Sequence, residues 1–211
     1  MMFISFEGLD GSGKTTQIDL FAAYLRAEGY DVVVTREPGG TAIGDQIRDV
    51  LHSLKNEAMH PRTELLLYNA SRAQLVEEYI RPKLEAGTIV ICDRFADSTL
   101  AYQGYGHGLD LDMLQMILDF TTGGLKPDCT IYLDISAEAG LKRREEAAAA
   151  GEEWTRMDAQ TLAFHRRVGN GYRQLIAQDQ DRWLVIDALG SEKEIQHRIM
   201  KAFLPRLKQF R

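Results

Sequence analysis

The stretch FISFEGLDGSGKTTQ, residues 3–17, runs from an apolar segment through a glycine-rich turn into a helical pattern. Gly8, Gly13, Lys14 and Thr15 meet the spacing G-x-x-x-x-G-K-[ST]. Glycines at such positions let successive backbone N–H groups turn inward as a nest for an anion, and a helix starting near Lys14 adds its positive dipole end. Lys14 is placed to reach the β- and γ-phosphates of a nucleotide, and the Thr15 hydroxyl suits Mg²⁺. The candidate triphosphate loop is therefore Gly8, Leu9, Asp10, Gly11, Ser12, Gly13, Lys14, Thr15 and Thr16. Asp10 stands in the middle of it, where a carboxylate should repel polyphosphate.

Outward from this loop, short Val- and Ile-rich runs alternate with longer helical patterns. FISFEG (3–8), DVVVTRE (31–37), TIVICDR (88–94), CTIYLDI (129–135) and RWLVIDA (182–188) read as five strands with little polar alternation, as expected of strands covered on both faces. Helices are expected over 15–29, closing at Gly29, and near 41–54, 63–86, 110–122, 137–148 and 157–179. Strands separated by helices imply βαβ units and a mostly parallel sheet, with the ligand crevice at the carboxyl ends of the strands. Asp10 to Thr15, Arg36–Glu37, Asp93–Arg94 and Asp134 all fall at such ends.

The composition bounds the partners. A chain of 211 residues with net charge −6 argues against generalised binding to nucleic acid or acidic membranes. Cys92 and Cys129, the only cysteines, fall in strand-like runs and read as buried thiols. The start MMFISFEG lacks a basic region before its apolar residues, and the helix-length segments are amphipathic, so neither a secretion signal nor a membrane span is expected and the cytosol is the default. His52, His60, His107, His165 and His197 form no metal-like spacing. One biased stretch, KRREEAAAAGEEWTR (142–156), reads either as a solvated helix-loop-helix or as a mobile lid.

The loop implies a nucleoside triphosphate without naming what it reacts with. The base-reading N-K-x-D signature of a switch GTPase is absent from the sequence, and the strand TIVIC ends in Asp93–Arg94 rather than in paired acidic residues. One guanidinium beside a metal-side carboxylate can bridge two phosphates bidentately and shield their repulsion. That points to a nucleotide kinase. A kinase of a nucleoside or another monophosphate, and a non-catalytic nucleotide-binding module, stay open on these residues alone.

FEGLDGSGKTT (6–16), TREPGGT (35–41), LLLYNASRAQLVEE (65–78), DRFADSTLAYQG (93–104), LDISAEAGLKR (133–143) and RMD (156–158) together resemble thymidylate kinase of the bacterial type. The resemblance implies an α/β, P-loop NTP hydrolase-like fold, a five-stranded parallel sheet flanked by helices with a lid near 142–156, in one domain over 1–211. It implies ATP-dependent phosphorylation of dTMP to dTDP with Mg²⁺, in a homodimer with helices near 41–54, 63–86 and 110–122 as candidate interface. The catalytic set it implies is Asp10, Lys14, Arg94 and Arg156. Arg94 would bridge the dTMP phosphate and the transferring γ-phosphoryl, Asp93 would orient Arg94 or hold Mg²⁺ with Thr15, and Asp10 would accept from the 3′-OH of dTMP. Arg36 and Arg48 are matched to the dTMP phosphate and Glu37 to a metal or phosphate water network. Tyr68 is matched to stacking on thymine, Arg72 to its O4, Thr99 and Gln103 to the base edge, and Tyr102 to the 2′ side of the sugar. Ser98 is read as local hydrogen bonding. Arg143 is matched to adenine or ATP phosphate. The lid stretch 145–155 holds no arginine, so Arg156 is the candidate for transition-state charge, with Arg144 next.

Overall fold

Among residues 2–207, which the computed structural model describes, the alternation becomes five parallel strands in the order β2-β3-β1-β4-β5. They are β1 (Met2–Gly8), β2 (Val32–Arg36), β3 (Ile89–Asp93), β4 (Cys129–Asp134) and β5 (Trp183–Asp187). Each lies within two residues of its expected bounds. The register pairs Ile4 of β1 with Ile91 of β3 on one side and with Cys129 of β4 on the other. Successive side chains of one strand serve opposite faces, which is why these strands lack polar alternation. Ile4 and Phe6 of β1 join Phe21, Val168 and Phe203 in one core, while Phe3 joins Leu75, Ile80 and Phe95 in the other.

The helices are α1 (Lys14–Ala27), α2 (Ala42–His52), α3 (Pro61–Leu75), α4 (Arg81–Glu85), α5 (Ala96–Thr99), α6 (Leu111–Thr122), α7 (Ala137–Ala149), α8 (Leu162–Gln178) and α9 (Glu192–Leu207). The expected helix over 63–86 is α3 and α4 joined by a π turn at Val76–Ile80. The turn precedes Pro82, whose missing N–H interrupts the regular ladder. The expected helix over 157–179 starts only at Leu162, because Thr161 caps it by accepting from the Phe164 N–H and Asp158 is engaged elsewhere. Two segments were not anticipated: α5 with the π-helical Leu100–Gly106, and α9. Cys92 and Cys129 are buried free thiols, as expected. No helix among the described residues is long and apolar enough to cross a membrane.

Candidate active site

β1 feeds directly into the phosphate loop. Gly8, Gly11 and Gly13 hold φ values of 148°, 76° and 86°, conformations that only glycine takes freely. A Cβ on Gly11 would overlap the Gly140 carbonyl of α7, so the loop is also packed from outside. Lys14 opens α1 and turns its ammonium back onto the loop, donating to the carbonyls of Gly8 at 3.2 Å and Leu9 at 3.1 Å. Burial, and after it the charge of Arg94, push this ammonium down to about 8. Arriving phosphate oxygens would relieve both effects. Thr15 donates to Asp93 Oδ2 at 3.4 Å, and Asp93 Oδ1 is buried with no partner. An orphaned carboxylate oxygen beside a hydroxyl is the hard-oxygen pair that Mg²⁺ takes together with substrate phosphates, so these residues fit the ion.

Beyond β3, Arg94 adopts a φ of 68°, a left-handed geometry that costs a non-glycine residue about 1–3 kcal/mol. Its N–H donates to Phe6 O at 2.9 Å. The guanidinium meets Asp10: Nη2 donates to Asp10 Oδ1 at 2.6 Å and to the Tyr102 hydroxyl at 3.1 Å, and the Tyr102 hydroxyl donates to Asp10 Oδ2 at 3.0 Å. Burial opposes the Asp10 charge, but Arg94, Lys14 and the Tyr102 hydroxyl hold the carboxyl well below the usual range. Nη1 of Arg94 reaches the Tyr172 hydroxyl at 3.3 Å. Behind these hydroxyls lies Glu7, wholly buried on β1 and pushed up by that burial to about 7 against the pull of Arg94. Ser98 was expected to bond locally; instead it donates to Glu7 Oε2 at 2.6 Å, across 91 residues.

The other end of the cleft is lined by Arg36, Glu37, Arg48, Tyr68, Arg72, Thr99, Tyr102 and Gln103. The whole cavity measures about 790 Å³. Tyr68 and Arg72 share a face of α3 one turn apart. Arg72, 1% exposed, donates to Glu37 Oε2 at 2.8 Å, Thr99 Oγ1 at 2.8 Å and Phe95 O at 3.2 Å. Glu37, expected in a metal or phosphate water network, is thus the counter-ion of a buried guanidinium, which needs one. Its Oε1 is left without a partner. Arg36 pairs with Asp45 at 2.9 Å, and Arg48 donates to Pro38 O at 3.1 Å. Burial, with Arg36 nearby, pushes the Arg48 guanidinium down. Two neighbouring cations whose mutual repulsion is incompletely met suit a phosphate. Gln103 donates to Glu64 Oε1 at 2.7 Å.

The lid segment differs most from expectation. Arg156 is 4% exposed and does not line the cleft. It is ion-paired with Glu64 at 2.6 Å, and its side chain and main chain donate to the carbonyls of Leu51 and His52 at the end of α2. Arg144 is the lid arginine that faces the cleft, clasped by Asp158 at 2.9 Å and Glu152 at 2.8 Å. Arg143 lines it too, donating to Gly11 O at 3.4 Å and Ala188 O at 3.2 Å. Asp134 lies outside the cleft, 3.9 Å from Arg173. His52, Ser98, Glu152, Glu153 and Asp158 line the cleft without having been anticipated. For Glu7 a signal did exist, a charged residue inside an otherwise apolar strand.

Comparison with known proteins agrees with this arrangement. A family model described as thymidylate kinase matches residues 6–199. Thymidylate kinases of Roseiflexus castenholzii and Thermomicrobium roseum are 53% and 54% identical to the chain, covering 98% and 88% of it and 94% and 86% of themselves. The crystal structure of thymidylate kinase from Ehrlichia chaffeensis matches with a TM-score of 0.75 at 35% identity, over 95% of this chain and 97% of that one. With a phosphate loop at the head of the sheet and a second, arginine-lined chamber across Asp10, the chain belongs to the thymidylate kinase family.

Proposed function

We propose that Arg94 is the group around which this cleft transfers a phosphoryl from ATP to the phosphate of dTMP. As a member of the thymidylate kinase family, the chain is a phosphotransferase that converts ATP and dTMP to ADP and dTDP. The single observation that carries the assignment of roles is the Arg94–Asp10–Tyr102 cluster, which stands between the phosphate loop and the Tyr68–Arg72 chamber. Little covalent work falls to the protein in phosphoryl transfer; positioning and charge stabilisation carry it. Gly8 to Thr16 hold the polyphosphate, and Lys14 exchanges its two carbonyl partners for phosphate oxygens. Thr15 and Asp93 would hold Mg²⁺, which would supply neutralisation of phosphate charge. Arg36 and Arg48 hold the acceptor phosphate, Tyr68 stacks on the base, and Arg72, fixed by Glu37 and Thr99, faces a base carbonyl. Asp10 and Tyr102 bind the sugar.

The segment 142–156 acts as a lid, with Arg144 rather than Arg156 turned toward the phosphates when its clasp to Asp158 opens. The protein works as a homodimer through α2, α3 and α6, an assignment supported by Leu66, Met116 and Phe120, which are 60%, 67% and 87% exposed. An apolar face of that kind is a common mark of an interface. The whole chain acts as one domain in the cytosol. The test is turnover with ATP and Mg²⁺ on dTMP, dCMP, dGMP and AMP. The expected result is that dTMP is preferred by at least about a hundredfold in kcat/KM, since a site built to hydrogen-bond a carbonyl rejects an amino group in its place. Equal rates on all four would remove the substrate assignment.

A further inference from the structure

Three donors at the back of Arg94 converge on one carboxylate. Glu7 Oε1 accepts from the Phe95 N–H at 2.7 Å, and Oε2 accepts from the Ser98 hydroxyl at 2.6 Å and the Tyr172 hydroxyl at 2.7 Å. The carboxylate thereby ties β1 to the turn after β3, to α5 and to α8. A hydroxyl has one proton and two lone pairs. With Glu7 ionised and both protons spent on it, the Ser98 and Tyr172 oxygens, 3.1 Å apart, can act only as acceptors. Nη1 of Arg94 lies 3.3 Å from the Tyr172 oxygen and 3.5 Å from that of Ser98. The Phe95 N–H bond fixes the other end of the problem, since it pins the backbone just after the left-handed Arg94.

We infer that Glu7, which touches no substrate, is a positioning residue for Arg94: it sets the proton directions of Ser98 and Tyr172 so that both present lone pairs to Nη1, and it holds the Arg94–Phe95 turn. Nη2 is then held by Asp10 and Tyr102, and the guanidinium is clamped at both terminal nitrogens. The inference rests on Arg94 being the group that spans the two phosphates. Glutamine cannot reproduce this arrangement. With its carbonyl toward Phe95, its NH₂ donates to the hydroxyls and reverses them, so that a hydroxyl proton faces the guanidinium. With its carbonyl toward the hydroxyls, its NH₂ opposes the Phe95 N–H. The first orientation releases Arg94 on the Nη1 side, and the second unpins the Arg94–Phe95 turn.

Steady-state kinetics with dTMP and ATP on wild type, Glu7→Gln, Arg94→Lys and the double variant test this, alongside melting temperatures. A misplaced guanidinium predicts a kcat lower by about 10- to 100-fold for Glu7→Gln, with KM for both substrates within about threefold. In the Arg94→Lys background, where the fork is already gone, adding Glu7→Gln should change kcat by less than about threefold. A purely structural carboxylate would repeat its full loss in that background, and this result overturns the inference. Tyr172→Phe provides a second reading should Glu7→Gln not fold, because it leaves Glu7 bonded to Phe95 and Ser98. A kcat about 3- to 10-fold below wild type is expected of it, and an unchanged kcat overturns the inference. Wild type inactive on dTMP, or Arg94→Lys at full rate, would instead remove the reading on which it rests.

Discussion

Both oxygens of Asp10 are engaged by Arg94 and Tyr102, 84 and 92 residues away in the chain. An Asx turn would instead commit the carboxylate to N–H groups of its own loop. The repulsion that a carboxylate owes to polyphosphate is therefore offset by a guanidinium on the acceptor side and by Lys14 on the other. Asp10→Asn keeps the shape and removes the charge. Since a hydrogen bond to a charged group contributes about 1.5–3 kcal/mol, dTMP affinity should fall by roughly 10- to 100-fold, with ATP affinity changed less than about threefold. Calorimetric titration with each nucleotide checks this, and equal losses for both would point to a general loop defect. The phosphate loop was legible because its chemistry is written in consecutive residues and in glycine's backbone freedom. Tyr172 was not, because what gives it meaning is a partner 165 residues away, and Glu7 showed only as a charge inside a largely apolar strand. The place of Arg156 was hidden for the same reason: its match to a lid arginine gave no sign that its partner Glu64 lies on another helix.

The segment 142–156 shows how elements, and not single side chains, fasten a stretch of chain at the mouth of the cleft. Arg156 fastens its far end to α2 and α3, and α7 fastens its near end to the phosphate loop by a glycine contact. A Cβ on Gly140 would sit 2.6 Å from the Asp10 carbonyl oxygen, a backbone atom that cannot swing aside. Gly140→Ala thus sets two effects against each other. Alanine in a helix gains about 1 kcal/mol over glycine, while overpacking costs about 1–3 kcal/mol. The overlap should win, lowering the melting temperature and weakening ATP by about fivefold or more. A higher melting temperature with unchanged ATP affinity would show that the contact is slack. Helices with clean caps were readable, as at Asp110 and Gly123 around α6. The segment 96–106 was not, because two glycines and π-helical winding hide its period. α9 was omitted although Ile195, Ile199, Phe203 and Leu207 mark an apolar stripe at helical spacing.

Across the whole molecule, the strand order puts β1 between β3 and β4, so the phosphate loop and the Asp93–Arg94 turn emerge side by side. This adjacency follows from parallel topology, in which every strand delivers its carboxyl end to one edge of the sheet. A chain of net charge −6 can therefore gather Lys14, Arg36, Arg48, Arg72 and Arg94 into one cleft while its remaining surface stays acidic on balance. The sheet and the cleft's position were readable from the alternation alone; which arginine is paired and which is left for substrate depended on packing. On the proposed reading Arg94 stabilises charge between donor and acceptor phosphates and does not merely brace the sheet. The direct measurement is kcat and KM of Arg94→Lys with saturating ATP and dTMP. A lysine keeps the charge but cannot fork, so kcat should fall by at least about a hundredfold, with both KM values within about threefold of wild type. A kcat equal to that of wild type would show that Arg94 only braces the sheet.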